Sequence, residues 1–95
     1  MRNYELALVF DPTLEETDID AEISKLTSLM EKENCKVGDI DKWGVKKLAY
    51  PINNNESGYY SFIYFSGDGK LLPELERISE INDKVLRHLI VKKEE

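Results

Sequence analysis

The 95 residues contain one cysteine, one histidine and one tryptophan, and this scarcity excludes several kinds of protein. Cys35 has no second cysteine to pair with, so an internal disulfide and a CxxC metal site are both excluded. His88 shares the parity of Ile90 on a predicted strand, which favours a packed side chain over a catalytic base. The sequence also lacks a glycine-rich phosphate loop of the P-loop or Rossmann kind. We therefore expect a protein that is not an enzyme and that binds no metal and no cofactor.

Long hydrophobic runs are also missing. No apolar stretch approaches the roughly 20 residues that a membrane-spanning helix needs. The opening MRNYELALVF lacks the apolar region and cleavage site of a secretory signal. Together with the single cysteine, these features predict a cytoplasmic protein with no membrane partner.

Basic charge is in short supply, since 13 lysines and arginines face 19 acids and the net charge is −6. Taken over the whole chain, this charge argues against a nucleic-acid partner. The excess of acid is concentrated in residues 11–34, whereas the windows 42–52 and 84–93 contain bases and no acid. Salt screens charges over about 8–10 Å, so local potential steers partners more than net charge does. The acidic segment predicts a solvated face, and the two windows predict locally basic surfaces.

Apolar periodicity predicts six elements. The run NYELALVF alternates large apolar residues with others, which is typical of a strand, and residues 17–34 space apolar residues three and four apart, which is typical of a helix. The aromatic run YYSFIYFS predicts another strand. The order β-α-β-β-α-β predicts a ferredoxin-like α+β fold, with a four-stranded antiparallel sheet and both helices on one face. The predicted strands are 3–10, 36–50, 59–66 and 85–91, and the predicted helices are 17–34 and 70–81.

Local signals predict where these elements end. Thr17 with Asp20 resembles a capping box, and Asn34 is a suitable left-handed stop for the first helix. Gly44 predicts a bulge or a bend in the second strand, and Pro51 predicts either the end of that strand or a position on a sheet edge. We also expect a loop over 53–58, a turn over 67–69, a single domain over 1–95 and a short charged tail over 92–95.

A sheet with both helices on one face leaves its other face open. In the third strand, either of two alternating sets fits the inner face; we assign the set with Ile63 and Phe65 inward. The reversed parity, which puts the outward set in the core, is the alternative. An exposed patch of aromatic and aliphatic residues beside Arg87 is typical of an interaction site. The predicted partner-protein face consists of Tyr60, Phe62, Tyr64, Leu89 and Val91.

Four stretches carry a specific resemblance to a known family. WGVKKLAYPI, residues 43–52, resembles the signature of the bacterial small-subunit ribosomal protein six family: tryptophan-glycine, a basic pair, then leucine-alanine-tyrosine-proline-isoleucine. MRNYE resembles the opening of that family, DPTL its strand-to-helix turn and INDKVLRHLIVK its closing segment. The similarity follows the same order over nearly the whole chain.

The resemblance implies a ferredoxin-like fold and a structural role in the small ribosomal subunit, with no small-molecule substrate. It also implies that the protein pairs with ribosomal protein eighteen and that the pair binds the central domain of small-subunit ribosomal RNA. A basic partner on the open face then supplies the positive charge that this chain lacks. The resemblance gives Trp43, Leu48, Ala49 and Tyr50 a structural role in the second strand.

Matching positions imply which residues face the RNA. Many relatives have arginine in the basic pair of the signature, where this chain has lysine twice. Lysine keeps the charge and loses the bidentate geometry of arginine, which favours phosphate contact over base reading. The implied RNA-facing residues are Arg2, Lys46, Lys47 and Arg87.

Other functions fit the same architecture. A small-molecule-binding regulatory domain would oligomerise through its open sheet face. A hydrolase of acylphosphatase type would need an arginine-bearing anion loop, and the sequence shows no convincing one. An RNA-recognition domain would display stacking aromatics within a characteristic motif, and YYSFIYFS lacks the glycine and basic residue of that motif.

Overall fold

The computed structural model describes residues 2–52 and 54–93, and the secondary structure follows the predicted β-α-β-β-α-β order. The strands are β1 (Arg2–Phe10), β2 (Lys36–Ile52), β3 (Asn55–Gly67) and β4 (Val85–Lys93), and the helices are α1 (Glu16–Lys32) and α2 (Leu72–Ile81).

The strands form one sheet in the order β2-β3-β1-β4, and each neighbouring pair is antiparallel. β1 lies in the interior of the sheet, where Leu6 is opposite Ile63 of β3 and Ile90 of β4. These three residues belong to or pack against one hydrophobic core, which also holds the apolar stripes of α1 and α2. Both helices therefore cover the same face of the sheet, which confirms the ferredoxin-like prediction.

The core is built from alternate strand residues and one stripe of each helix. Positions 4, 6, 8 and 10 of β1 are buried, as a period of two predicts. Burial of each large apolar side chain stabilises the fold by about 1.5–3 kcal/mol. From the helices, the buried apolar residues are Ile19, Ile23, Leu26, Met30 and Leu75.

The two ends of α1 compare differently with the sequence prediction. The N-cap residue is Glu15, and no side-chain capping bond forms there in the described part of the chain, so the predicted capping box of Thr17 and Asp20 is wrong. Asp20 instead accepts a hydrogen bond from Lys42 of β2, at 2.6 Å. At the other end, Asn34 has a φ of +64°, which confirms the predicted left-handed stop.

The β2–β3 hairpin is longer than predicted. β2 runs through Pro51 to Ile52, and β3 begins at Asn55, so the predicted loop over 53–58 is wrong beyond its turn. Asn54 forms that turn with a φ of +66°, and the residue before it lies outside the described residues. The polar residues next to the turn can form strands because an antiparallel ladder requires only backbone N–H and C=O groups.

β4 is also longer than predicted. Lys92 and Lys93 are paired with Tyr4 and Asn3 of β1, so the predicted tail over 92–95 overlaps the strand. The ladder continues there because β1 offers backbone partners as far as its own first residues. The last two residues of the chain lie outside the described residues.

α2 begins two residues later than predicted, at Leu72, with Pro73 in its first turn. Neither α1 nor α2, the helices of the described ranges, has the length and apolar composition that crossing a membrane requires.

Candidate functional site

The sheet face opposite the helices is uncovered, and we call it the open face. The residues of β3 at 59, 61, 63 and 65 are buried on the helix side, so those at 60, 62 and 64 lie on the open face. The outward parity predicted for β3 is therefore correct, and the reversed alternative is excluded. The antiparallel register arranges the open face in three rows across β3, β1 and β4. The rows are Tyr60–Val9–Arg87, Phe62–Ala7–Leu89 and Tyr64–Glu5–Val91.

Small side chains in the middle of these rows make the open face concave. Ala7 and Val9 of β1 lie between the aromatic residues of β3 and Leu89 of β4, which is 59% exposed. A groove of about 230 Å³ lies over them, with mainly apolar walls and the charged side chain of Arg87. A concave apolar site with few polar groups is typical of a binding site.

Trp43 also lies on the open face, beside Phe62. The centroids of the two rings are 4.6 Å apart, and Trp43 is 59% exposed. The cause is a bulge, because the ladder passes from Lys42 to Gly44 while β3 advances one residue, and Gly44 has a φ of +84°. The predicted bulge is thus confirmed, and Trp43, to which the resemblance gives a structural role in the second strand, is an exposed residue of the open face. Sequence reasoning missed this open-face residue although the neighbouring glycine was its signal.

The β2 arm of the hairpin folds over one end of the groove. Its ladder with β3 breaks before Leu48, and residues 48–51 stand outside the ladder. Leu48 is 8% exposed and lies beside Gly58 and Val9, so it has the structural role predicted. Tyr50 is 58% exposed, and its side chain reaches across the sheet to Arg87.

Tyr50 meets Arg87 of β4 at the far side of the groove. The Arg87 Nη1 donates a hydrogen bond to the Tyr50 hydroxyl at 3.0 Å, and the guanidinium carbon lies 5.8 Å from the ring centroid. That distance is within the range of a cation–π interaction. The pair links β2 to β4, which occupy opposite edges of the sheet.

The four basic residues expected to face RNA are all exposed and lie in separate places. Lys46 and Lys47 follow one another in a regular stretch of ladder, so their side chains point to opposite faces of the sheet. Arg87 lies on the open face, beside Val9 near the end of β1. Arg2 begins β1, seven residues before Val9, and a strand of that length spans about 24 Å. The structure therefore does not gather the four into one patch.

Other lysines of the two basic windows are paired with acids of α1. Lys42 bonds to Asp20 at 2.6 Å, and Lys84 lies 3.4 Å from Glu22. Burial raises the pKa of Glu22, but its hydrogen bonds to Asn82 and lysine outweigh burial and leave that pKa below its usual value. The acid-rich helix is thus partly neutralised and lies on the face away from the groove.

The two ends of the open face differ in charge. At one end, Glu5 lies 3.2 Å from Lys93 in an ion pair, next to Tyr64. Burial raises the pKa of the Tyr64 hydroxyl, and the carboxylates of Glu5 and Asp41 raise it further. The other end carries Arg87. A partner that covers the whole face therefore meets carboxylates at one end and a guanidinium at the other.

His88 and Cys35 both have structural surroundings. His88 Nε2 lies 3.0 Å from a carboxylate oxygen of Glu76 in α2, which agrees with its predicted packed position. Burial raises the pKa of the Cys35 thiol, and the charges of Asp68 and Glu33 raise it further. A raised pKa disfavours the thiolate, which is the reactive form of cysteine.

Comparison with known proteins gives a consistent result. The sequence profile of the family described as Ribosomal protein S6 matches residues 3–92. The small ribosomal subunit protein bS6 of Clostridium novyi is 44% identical over 94 residues, which cover 99% of each chain. The bS6 protein of Clostridium perfringens is 41% identical over 95 residues, or 100% of each chain. The crystal structure of 30S ribosomal protein S6 from Thermotoga maritima aligns with a TM-score of 0.90 at 26% identity, covering 97% of this chain and 87% of that one.

These matches extend over almost the whole chain and agree in family and in fold. They favour the ribosomal interpretation over a regulatory domain or a hydrolase of similar architecture, and they confirm that the chain is not an enzyme. The chain belongs to the ribosomal protein S6 family and is a structural protein of the small subunit in the cytoplasmic ribosome.

Proposed function

We propose that this protein binds the central domain of small-subunit ribosomal RNA as a heterodimer with ribosomal protein eighteen, which docks on the open face. The observation that carries the proposal is the apolar groove between Phe62 and Leu89, which neither α1 nor α2 covers. Trp43 adds a half-exposed aromatic ring to its rim. Exposed apolar surface of this kind in a soluble protein marks an interaction site.

Charge favours a basic protein as the occupant of the groove. RNA phosphate is repelled by the carboxylates of Asp39 and Asp41, which lie near Tyr64 at one end of the open face, and a single RNA strand finds no positively charged groove there. A basic partner pairs with those carboxylates instead. It also brings positive charge to a chain whose own net charge is −6, which makes the pair a better RNA ligand than this chain alone.

Phosphate contacts from this chain are proposed at Arg2, Lys46, Lys47 and Arg87. Arg2 is separated from Arg87 by about the length of β1, or ~24 Å, so the two contact different segments of the RNA. Each phosphate contact releases counterions, and affinity therefore falls as salt rises. Contacts of this kind position the protein and read no sequence.

Two aspartate variants test the docking surface. Leu89→Asp places a charge in the groove, and Ile81→Asp places the same charge on a similarly exposed residue at the end of α2, the two side chains being 59% and 65% exposed. Titration calorimetry with ribosomal protein eighteen should show that Leu89→Asp weakens binding by roughly thirtyfold or more, as loss of an interface anchor does. Ile81→Asp should bind as the wild type does. Equal affinities for wild type and Leu89→Asp would refute the docking surface.

A salt titration of the heterodimer on a central-domain RNA fragment tests the RNA contacts. Replacing Lys46 and Lys47 together with glutamine should reduce affinity and lower the salt slope by ~0.7–0.9 per lost contact. Lys42→Gln is the matched control, because Lys42 lies on the same strand and is paired with Asp20. An unchanged slope in the double variant would remove these two lysines from the proposed RNA site.

A further inference from the structure

Among the described lysines and arginines that the structure pairs with another side chain, Arg87 differs in the kind of partner that holds it. Lys42 is paired with Asp20, Lys93 with Glu5 and Arg77 with Glu74. Each of these cations is therefore neutralised by a carboxylate. Among the described residues, Arg87 has no carboxylate partner, and its guanidinium is held by the neutral hydroxyl and ring of Tyr50.

A neutral partner fixes the position of a guanidinium without cancelling its charge. The hydrogen bond from Nη1 to the Tyr50 hydroxyl uses one of the five N–H donors of arginine, so four remain for another acceptor. The planar group loses less conformational entropy on binding when it is already ordered. Carboxylate and phosphate oxygens are the acceptors with which a guanidinium forms its strongest hydrogen bonds, often two in parallel, and phosphate is the one that RNA supplies.

The backbone of β2 shows how the tyrosine reaches this position. Between Lys47 and Ile52 the ladder advances five residues on β2 against two on β3, so residues 48–51 form an extended bulge. Pro51 has no N–H to give to a ladder, which suits it to this irregular segment. Leu48 anchors the bulge beside Val9, and Tyr50, two residues on, projects over the same open face.

We propose that Tyr50 is a positioning residue for RNA binding, which orders the Arg87 guanidinium so that its free N–H groups meet a phosphate of the RNA. The inference rests on the proposed function, because it assigns an RNA contact to Arg87. It adds a residue that makes no contact with RNA itself and a role for the bulged segment of β2. The opposite possibility is that Tyr50 occupies Arg87 and competes with phosphate, and this has the opposite effect on affinity.

A double-mutant cycle with Tyr50→Phe and Arg87→Gln separates these outcomes. Tyr50→Phe removes the hydroxyl and keeps the ring, and the same substitution in the Arg87→Gln background is its control. RNA affinity is measured as a function of salt for heterodimers held at saturating ribosomal protein eighteen. Arg87→Gln should lower the salt slope by ~0.7–0.9, as the loss of one phosphate contact does. Tyr50→Phe should weaken RNA binding roughly fivefold, which corresponds to one hydrogen bond, and should leave thermal stability unchanged.

The decisive result is the combination of the two substitutions. In the Arg87→Gln background, Tyr50→Phe should have no further effect, because the group that it positions is gone. An equal effect of Tyr50→Phe in both backgrounds, no effect in either, a gain of affinity or weaker docking of the partner protein would each overturn the positioning role. An Arg87→Gln heterodimer with wild-type affinity and slope would instead refute the RNA contact of Arg87 in the proposed function, and the positioning role would fall with it.

Discussion

Replacing Gly58 with alanine tests how the hairpin arm is joined to the open face. A Cβ at this position would lie 2.3 Å from Val9 Cγ1, far inside van der Waals contact, and 3.6 Å from Leu48 Cδ2, an ordinary contact. Gly58 does not have a positive φ, so alanine adopts its backbone conformation without strain. The cost of the substitution is therefore steric, and Val9 is the residue that must move.

The size of that cost follows from how little freedom Val9 has. It is 7% exposed and β-branched, so rotation of its side chain about χ1 is restricted and there is little room for it to turn. Overpacking of a buried site lowers the unfolding free energy by about 1–3 kcal/mol. Replacing glycine with alanine raises it by about 0.4–1 kcal/mol, because the unfolded chain has less conformational entropy. We therefore expect Gly58→Ala to lose about 1–2 kcal/mol of unfolding free energy.

Val9→Ala supplies the test of this reasoning. Alone, it removes two methyl groups worth about 0.8 kcal/mol each and leaves a small cavity. In the double variant, the new Cβ of residue 58 occupies the space that the methyl groups leave, so the two losses should cancel in part. Urea unfolding of the free chain should give a coupling of at least ~1 kcal/mol, with Ser57→Ala as the control for the arm. Losses that simply add, or a Gly58→Ala variant as stable as the wild type, would show that the contact is wrong.

Two further predictions concern buried polar groups. Glu22→Gln should cost about 1–2 kcal/mol at pH 7, because it removes the charge that Lys25 and Lys84 contact. The folded-state pKa of Glu22 lies below its ordinary value of 4.5, so its contribution is present above that pH and is lost as pH falls through the folded value. Urea unfolding at pH 7 and in acid should therefore show the two stabilities converging, and a constant difference would contradict the ion pairs. Ser79→Ala should raise stability by about 0.5–1 kcal/mol in a thermal melt, since the buried hydroxyl has no partner among the described residues and alanine is the better helix former; a lower Tm would refute it.

The fold could be predicted from the sequence because the residues that its apolar periodicity places on one face are the residues that the structure buries. The stripe from Ile19 to Met30 and the alternation from Tyr4 to Phe10 each had one face that could be core, and both are buried as predicted. The β3 parity followed from the same logic. In contrast, the residues around the hairpin turn are mostly polar, so the extension of β2 past residue 50 and of β3 before residue 59 was not predictable from periodicity.

The candidate site was less predictable because it depends on register. Trp43 reaches the open face through a bulge, and Tyr50 reaches Arg87 because residues 48–51 leave the ladder. The number of β2 residues that leave the ladder at each of these two places cannot be read from one sequence. The separation of Arg2 from Arg87 could have been predicted from the sequence, because β1 and β4 are antiparallel and the starts of the two strands therefore lie at opposite ends of the sheet.

The irregular pairing of β2 also bears on the solubility of the free chain. A ribosomal protein is synthesised before it meets its assembly partners, and an uncovered sheet is a hazard for aggregation during that interval. β2 is an edge strand whose ladder breaks at three places and which contains a proline, so it offers an incoming strand no continuous row of backbone groups. The opposite edge, β4, is more regular but carries Arg87 and Lys92, and a second copy added there in antiparallel or parallel register brings cations together. The same features that shape the groove thus keep separate chains from joining edge to edge.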